Sequence, residues 1–144
     1  MMLRRSTFLT LSSVVALAVG TFALAAPRAL LASKGVALPN EGAAIWVREL
    51  GVTIFALGLM MFLVRNHADS PTLAVLFFVN ALVQLGLLPI EIVAYHRDVI
   101  TRLSGIVPNS VLHVVLASGF LIFGARMRGG PARGDEMASK EAAG

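Results

Sequence analysis

An all-α, four-helix transmembrane bundle is the fold class this sequence predicts, and two observations carry it. Four apolar stretches, residues 7–26, 44–64, 72–94 and 108–125, each have about the 20 residues a helix needs to cross a bilayer. A mean hydropathy of +0.82, with 57% hydrophobic and 14% charged residues, leaves more apolar surface than a water-soluble chain of 144 residues can hide. The net charge of +4 comes from basic residues that flank the spans and do not form a patch interleaved with aromatics, so nucleic acid is not an expected partner. With no cysteine, disulfides, thiolate metal sites, iron–sulfur clusters and a cysteine nucleophile are excluded.

The first span follows Arg4 and Arg5 and ends at Pro27. Ala23-Leu24-Ala25 has the small-x-small pattern of a signal-peptidase site, but the apolar run is longer than the roughly 7–15 residues of a signal core, so a retained helix is expected. The connection from Arg28 to Gly42 is punctuated by Gly35, Pro39 and Asn40, and residues 28–34 are expected to form a short amphipathic turn at the lipid interface. The second span opens near Ala44, with Trp46 at the headgroup boundary, and carries Ala44, Gly51 and Gly58 at seven-residue spacing, a stripe of small residues that admits another backbone. Ser70 is the expected N-cap and Pro71 the first residue of the third span. The link before it is short enough to make the second and third spans antiparallel neighbours. Pro89 denies the carbonyl of Leu85 its donor and predicts a kink. Residues 99–107 read as a loop, with Pro108 opening the fourth span; the tail, 129–144, is rich in Gly, Ala and charge and is expected to be disordered.

Four spans bring both termini to one side. Arg4, Arg5, Arg65, Arg126, Arg128, Arg133 and Lys140 lie there, against Arg28, Lys34, Arg48, Arg97 and Arg102 opposite, so both termini are expected in the cytoplasm. Ten arginines against two lysines is the bias of a GC-rich genome, and the expected location is a bacterial cytoplasmic membrane.

Ionisable groups inside spans are where chemistry is sought, because an unpaired charge there costs several kcal/mol. Glu49, Glu91 and His113 fall at one level near the outer ends of their spans. In the third span Asn80, Gln84, Glu91 and Tyr95 share one helical face; in the second, Glu49, Thr53, Ala56 and Met60 share a face opposite Gly51 and Gly58. The expectation is a polar chamber open toward the outer leaflet, with Glu49, Glu91 and His113 as candidate acid–base groups and Asn80, Gln84, Tyr95 and Trp46 as candidate ligand contacts. The same pattern also fits interhelical hydrogen-bond glue for Asn80 and Gln84, and an interfacial ion pair for Glu49 with its neighbour Arg48. Glu49, Glu91, His96 and His113 show no Glu-x-x-His or His-x-x-x-His spacing, so no metal is expected, and with no phosphate loop, serine elbow or nucleotide fingerprint no cofactor is expected either.

The run from Ala26-Pro27 through an amphipathic connection to Trp46-Val47-Arg48-Glu49-Leu50-Gly51, opening a span that closes on Arg65, resembles small four-helix bacterial membrane proteins of the DoxX-like kind, as do Leu112-His113 and Gly119-Phe120. The resemblance covers residues 8–125 and implies architecture rather than activity. Pro89-Ile90-Glu91 also resembles the acidic motif of carotenoid-cyclase-like membrane enzymes but lacks its second acid. The expected function is binding of a lipophilic small molecule, or of a membrane-protein partner or second copy, within the bilayer. The alternative is acid–base catalysis, of an isomerase or cyclase type, on an isoprenoid, sterol or quinone-like substrate.

Overall fold

The computed structural model describes residues 4–36 and 40–128, so the expectation of a disordered tail lies outside the described residues. Five helices are present: α1 (Arg5–Ala25), α2 (Pro27–Ser33), α3 (Glu41–Val64), α4 (Pro71–His96) and α5 (Leu103–Arg128), with no strand among the described residues. All but α2 are long and apolar enough to span a membrane, and the chain is a multi-pass helical membrane protein.

Local chemistry sets most boundaries. Pro27 occupies the first turn of α2, where its missing N–H is no loss, and α2 is the short helix expected of residues 28–34. The side chain of Asn40 accepts from Ala43 N at 2.8 Å, and this cap starts α3 three residues before Ala44. Ser70 caps α4 by accepting from Leu73 N at 3.1 Å, with Pro71 first in the helix. One boundary differs from expectation: α5 begins at Leu103, not Pro108, because a proline one turn into a helix forfeits only the bond to the carbonyl four residues back, that of Ser104. Likewise α4 runs through Pro89 without interruption.

Packing resolves the bundle into two antiparallel pairs, α1 with α3 and α4 with α5. The first is a small-residue contact. A Cβ on Gly20 would stand 2.7 Å from the backbone N of Phe55, and one on Gly58 would stand 3.0 Å from Leu17 N and from the Ala16 Cβ. Ala44, Gly51 and Gly58 are buried, and the two glycines pack against α1. The short link between α3 and α4 does not make them a tight pair: their seam has no comparable backbone approach. The pairs meet instead at the end of the bundle that carries the N-terminus of α1 and the C-terminus of α5. There Phe8, Phe77 and Phe120 interlock edge to face, with centroids 5.0 and 5.6 Å apart, and Arg5 ion-pairs with Asp69 in the α3–α4 link. Phe8 and Leu9 place the N-terminal half of α1 in the core. Outward-facing Leu11, Leu63, Leu82 and Ile90 form the lipid-facing coat.

At the opposite end the turn after α2 is fastened to the start of α5. Thr101 Oγ1 donates to Gly35 O at 2.8 Å, and Gly35 adopts φ +77°, which a side chain would resist. Lys34 is thereby held over the mouth of the bundle.

Replacing Gly20 by Ile is expected to force α1 from α3 and lower stability in detergent by about 1–3 kcal/mol, as overpacking does. Gly86→Ala is the control, since a Cβ there meets nothing within 4 Å. Thermal unfolding of both variants checks this: a loss for the first and none for the second is the expected pattern.

Candidate functional site

A single chain of side-chain contacts descends from Lys34 into the bundle. Lys34 Nζ donates to Glu91 Oε1 at 2.5 Å, and Asn109 Nδ2 donates to the same oxygen at 2.5 Å. Asn109 Nδ2 also lies 3.1 Å from His113 Nε2, and His113 Nδ1 lies 2.6 Å from Gln84 Oε1. Glu91 and His113 are buried, and Asn109 and Gln84 half-buried. Helical spacing makes this possible: Asn109 and His113 are i and i+4 on α5, while Gln84 and Glu91 stand two turns apart on one face of α4.

The donor and acceptor roles follow from the charge at the top. A carboxylate paired with an ammonium has no hydrogen to give, so Asn109 must donate to it through its amide NH2. The second hydrogen of that NH2 faces His113 Nε2, which must therefore carry a lone pair. His113 is neutral with its proton on Nδ1, and that proton goes to Gln84 Oε1. Each link fixes the next. Glu91 Oε2 is the exception: buried 3.9 Å from His113 Nε2, it has no hydrogen-bond partner among the described residues.

Below the chain, between the two helix pairs, lies a cavity of about 90 Å³. Its walls are mostly apolar, including Val19, Ile54, Leu57 and Val83, and its polar atoms come from Ser12, Asn80, Gln84, Asn109 and His113. Ser12 is spent on its own helix, donating to Phe8 O at 2.8 Å. A second, more open cleft of about 250 Å³ lies between α2 and α5 and shares Asn109 and Leu112 with the first, so those two side chains form the partition between them.

Of the residues singled out from sequence, Glu91, His113 and Gln84 join one network, and Asn80 lies a turn below Gln84 on the cavity wall. Asn80 Nδ2 donates to Leu76 O at 2.8 Å, within its own helix, so it is not interhelical glue. Glu49 does not enter the chamber. It is exposed, as is Thr53 beside it, because α3 turns Ile54, Leu57 and Met61 inward and its glycines toward α1. Trp46 is 72% exposed at the loop end, where an indole suits the membrane boundary, and does not line the chamber. Tyr95 is half-buried with its ring against His96, apart from the chain of contacts. The site also lies deeper than expected: with α5 starting at Leu103, His113 is ten residues, about 15 Å, from that helix end.

Two members escaped the sequence reading. Asn109 is legible as the residue one turn before His113 within the span that Pro108 opens. Lys34 had no such signal, since its approach to Glu91 depends on the tertiary fastening of Gly35 to Thr101.

Among the described residues no three His, Asp or Glu side chains converge as a metal site would require. In comparisons with known proteins, no protein family, curated protein or solved structure matches this chain.

Lys34→Met leaves a buried carboxylate without its counter-charge and is expected to cost about 1–3 kcal/mol, below the range for a fully buried pair because a quarter of the Lys34 side chain is exposed. Adding Glu91→Gln should restore most of that loss. Thermal unfolding of the two single variants and the double variant measures the coupling; additive losses would show that the pair is not an energetic unit.

Proposed function

We propose that this protein is a membrane-embedded binding module for a lipid-like molecule, which seats its polar head against Asn80 and Gln84 and its apolar body between the two helix pairs. The observation that carries this reading is the composition of the chamber: an apolar cavity with a patch of uncharged hydrogen-bonding groups. The charges above it, Lys34 and Glu91, neutralise each other and do not line it.

Size bears on the mode of binding. About 90 Å³ is less than the roughly 150 Å³ engineered cavity that accepts benzene. It suits a head group and the first atoms of a chain, not a whole lipid. The remainder has a way out along the loosely packed α3–α4 seam, where Ile54, Leu57, Val83 and Leu87 are half-buried. A ligand held this way keeps its tail in the bilayer.

The same geometry favours binding over acid–base turnover. Both ring nitrogens of His113 are engaged by amides, and an amide is a poor proton relay. Glu91 does not line the cavity, and its hydrogen bond toward it runs through Asn109. We further propose a bacterial cytoplasmic membrane as the location, with both termini inside, as the basic residues around Arg4, Arg65 and Arg128 support.

Lipid extraction and mass spectrometry of protein purified in mild detergent should yield a bound lipophile. Val83→Trp, which fills the cavity, should lose it, while Glu49→Gln on the exposed face should keep it. Equal recovery from all three proteins, or a lipophile that the wild type chemically converts, contradicts the reading.

A further inference from the structure

We infer that the head group this cavity accepts is a hydroxyl: the ligand class is a lipophilic alcohol, not an aldehyde, ketone or quinone, a carboxylate or a hydrocarbon. The inference rests on the cavity being a binding site and takes it further by hydrogen-bond bookkeeping.

The chain of contacts from Lys34 ends in the cavity with a fixed polarity. Gln84 Oε1 is taken by His113 Nδ1, so the Gln84 amide NH2 is the group left over, and no described residue accepts from it. Reversing that amide would require the His113 proton on Nε2, facing the Asn109 NH2 that Glu91 holds in place. Gln84 therefore presents a donor.

Asn80 presents the opposite. Its Nδ2 is anchored on Leu76 O, which turns Oδ1 away from its own helix, and no described residue donates to that oxygen although the side chain is 3% exposed. Asn80 and Gln84 are four residues apart on α4, about 6 Å along the axis, and both line the cavity. Gln84 and Asn80 thus put a donor and an acceptor on the same space a turn apart, with the Asn109 Oδ1 as a further acceptor in the lining.

A hydroxyl meets both demands, since it accepts from Gln84 and donates to Asn80. An aldehyde or quinone carbonyl satisfies Gln84 alone and leaves Asn80 Oδ1 desolvated without a partner. A carboxylate faces the Asn80 oxygen with like polarity, and its charge has no free counter-ion, because Lys34 is held by Glu91. A hydrocarbon leaves both groups unmet. Selectivity in such a site arises from buried polar groups left unpaired by the wrong ligand. In this scheme Lys34, Glu91, Asn109 and His113 are positioning residues, acting on the ligand through Gln84.

The test uses the full-length protein in nanodiscs and a 1-dodecanol carrying a diazirine, whose crosslinks are mapped by peptide mass spectrometry. Capture is expected on cavity residues and is expected to be lost in Val83→Trp. At equal bilayer concentration, unlabelled 1-dodecanol should compete about three- to tenfold better than dodecanal, and dodecanal better than dodecane. Asn80→Leu should erase the advantage of alcohol over aldehyde; Gln84→Met should bring the aldehyde down to the alkane and leave the alcohol only the advantage of its bond to Asn80. Equal competition by alcohol and aldehyde, with capture still confined to the cavity, overturns the hydroxyl assignment and leaves the binding reading standing. Absence of capture, or capture indifferent to Val83→Trp, overturns the binding reading itself. Should Asn80→Leu fail to fold, the ranking of the three unlabelled compounds on the wild type decides alone.

Discussion

A carboxylate that stays ionised can only accept hydrogen bonds, and in this bundle that restriction on Glu91 orders everything beneath it. Lys34 supplies the counter-charge that keeps a buried carboxylate tolerable at membrane depth. Because Glu91 must accept, Asn109 must donate; because Asn109 donates, His113 carries its proton on the far nitrogen; and because of that, Gln84 turns its NH2 to the cavity. A charge pair near the loop end thus sets the hydrogen-bonding character of a site near mid-membrane. It does so without moving a proton, which supports the proposed binding over acid–base catalysis.

The cavity itself follows from how the helices pair. In lipid there is no hydrophobic drive to bring helices together, so close packing depends on small residues and polar contacts. Gly20, Gly51 and Gly58 draw α1 and α3 together at backbone distance, and α4 and α5 are joined by the polar chain and by the rings around Phe77 and Phe120. Between the pairs the packing is concentrated at the terminal end, around Phe8 and Leu9. Above that aromatic floor the pairs stand apart, with a cavity between them and a seam between α3 and α4. The fastening of Gly35 to Thr101 closes the loop end and delivers Lys34 to Glu91.

Length and hydropathy made the spans legible, and Ser70-Pro71 marked a helix start correctly, because these depend on local chemistry alone. Periodicity also placed Asn80, Gln84 and Glu91 on one face of α4. It failed for Glu49 for a physical reason: in a membrane helix the lipid-facing and interior faces are both apolar, so the pattern says which residues share a face and not which face turns inward. The glycine face of α3 was read correctly as a packing surface, yet the face opposite it points to lipid and not to the site. Asn109 stands one turn before His113 inside the expected span, so their pairing is locally encoded, whereas Lys34 makes a contact of 57 residues' separation that no local pattern encodes.

The central claim is that the Lys34–Glu91 pair dictates the polarity of the chain, and the ring nitrogens of His113 report it directly. Nitrogen-15 NMR of the protein in lipid, with the His113 signal assigned by its loss in His113→Asn, should show a neutral ring protonated on Nδ1. In Glu91→Gln, where the residue can donate as well as accept, both tautomers should appear. A wild-type ring protonated on Nε2, or a tautomer unchanged by Glu91→Gln, would contradict the account.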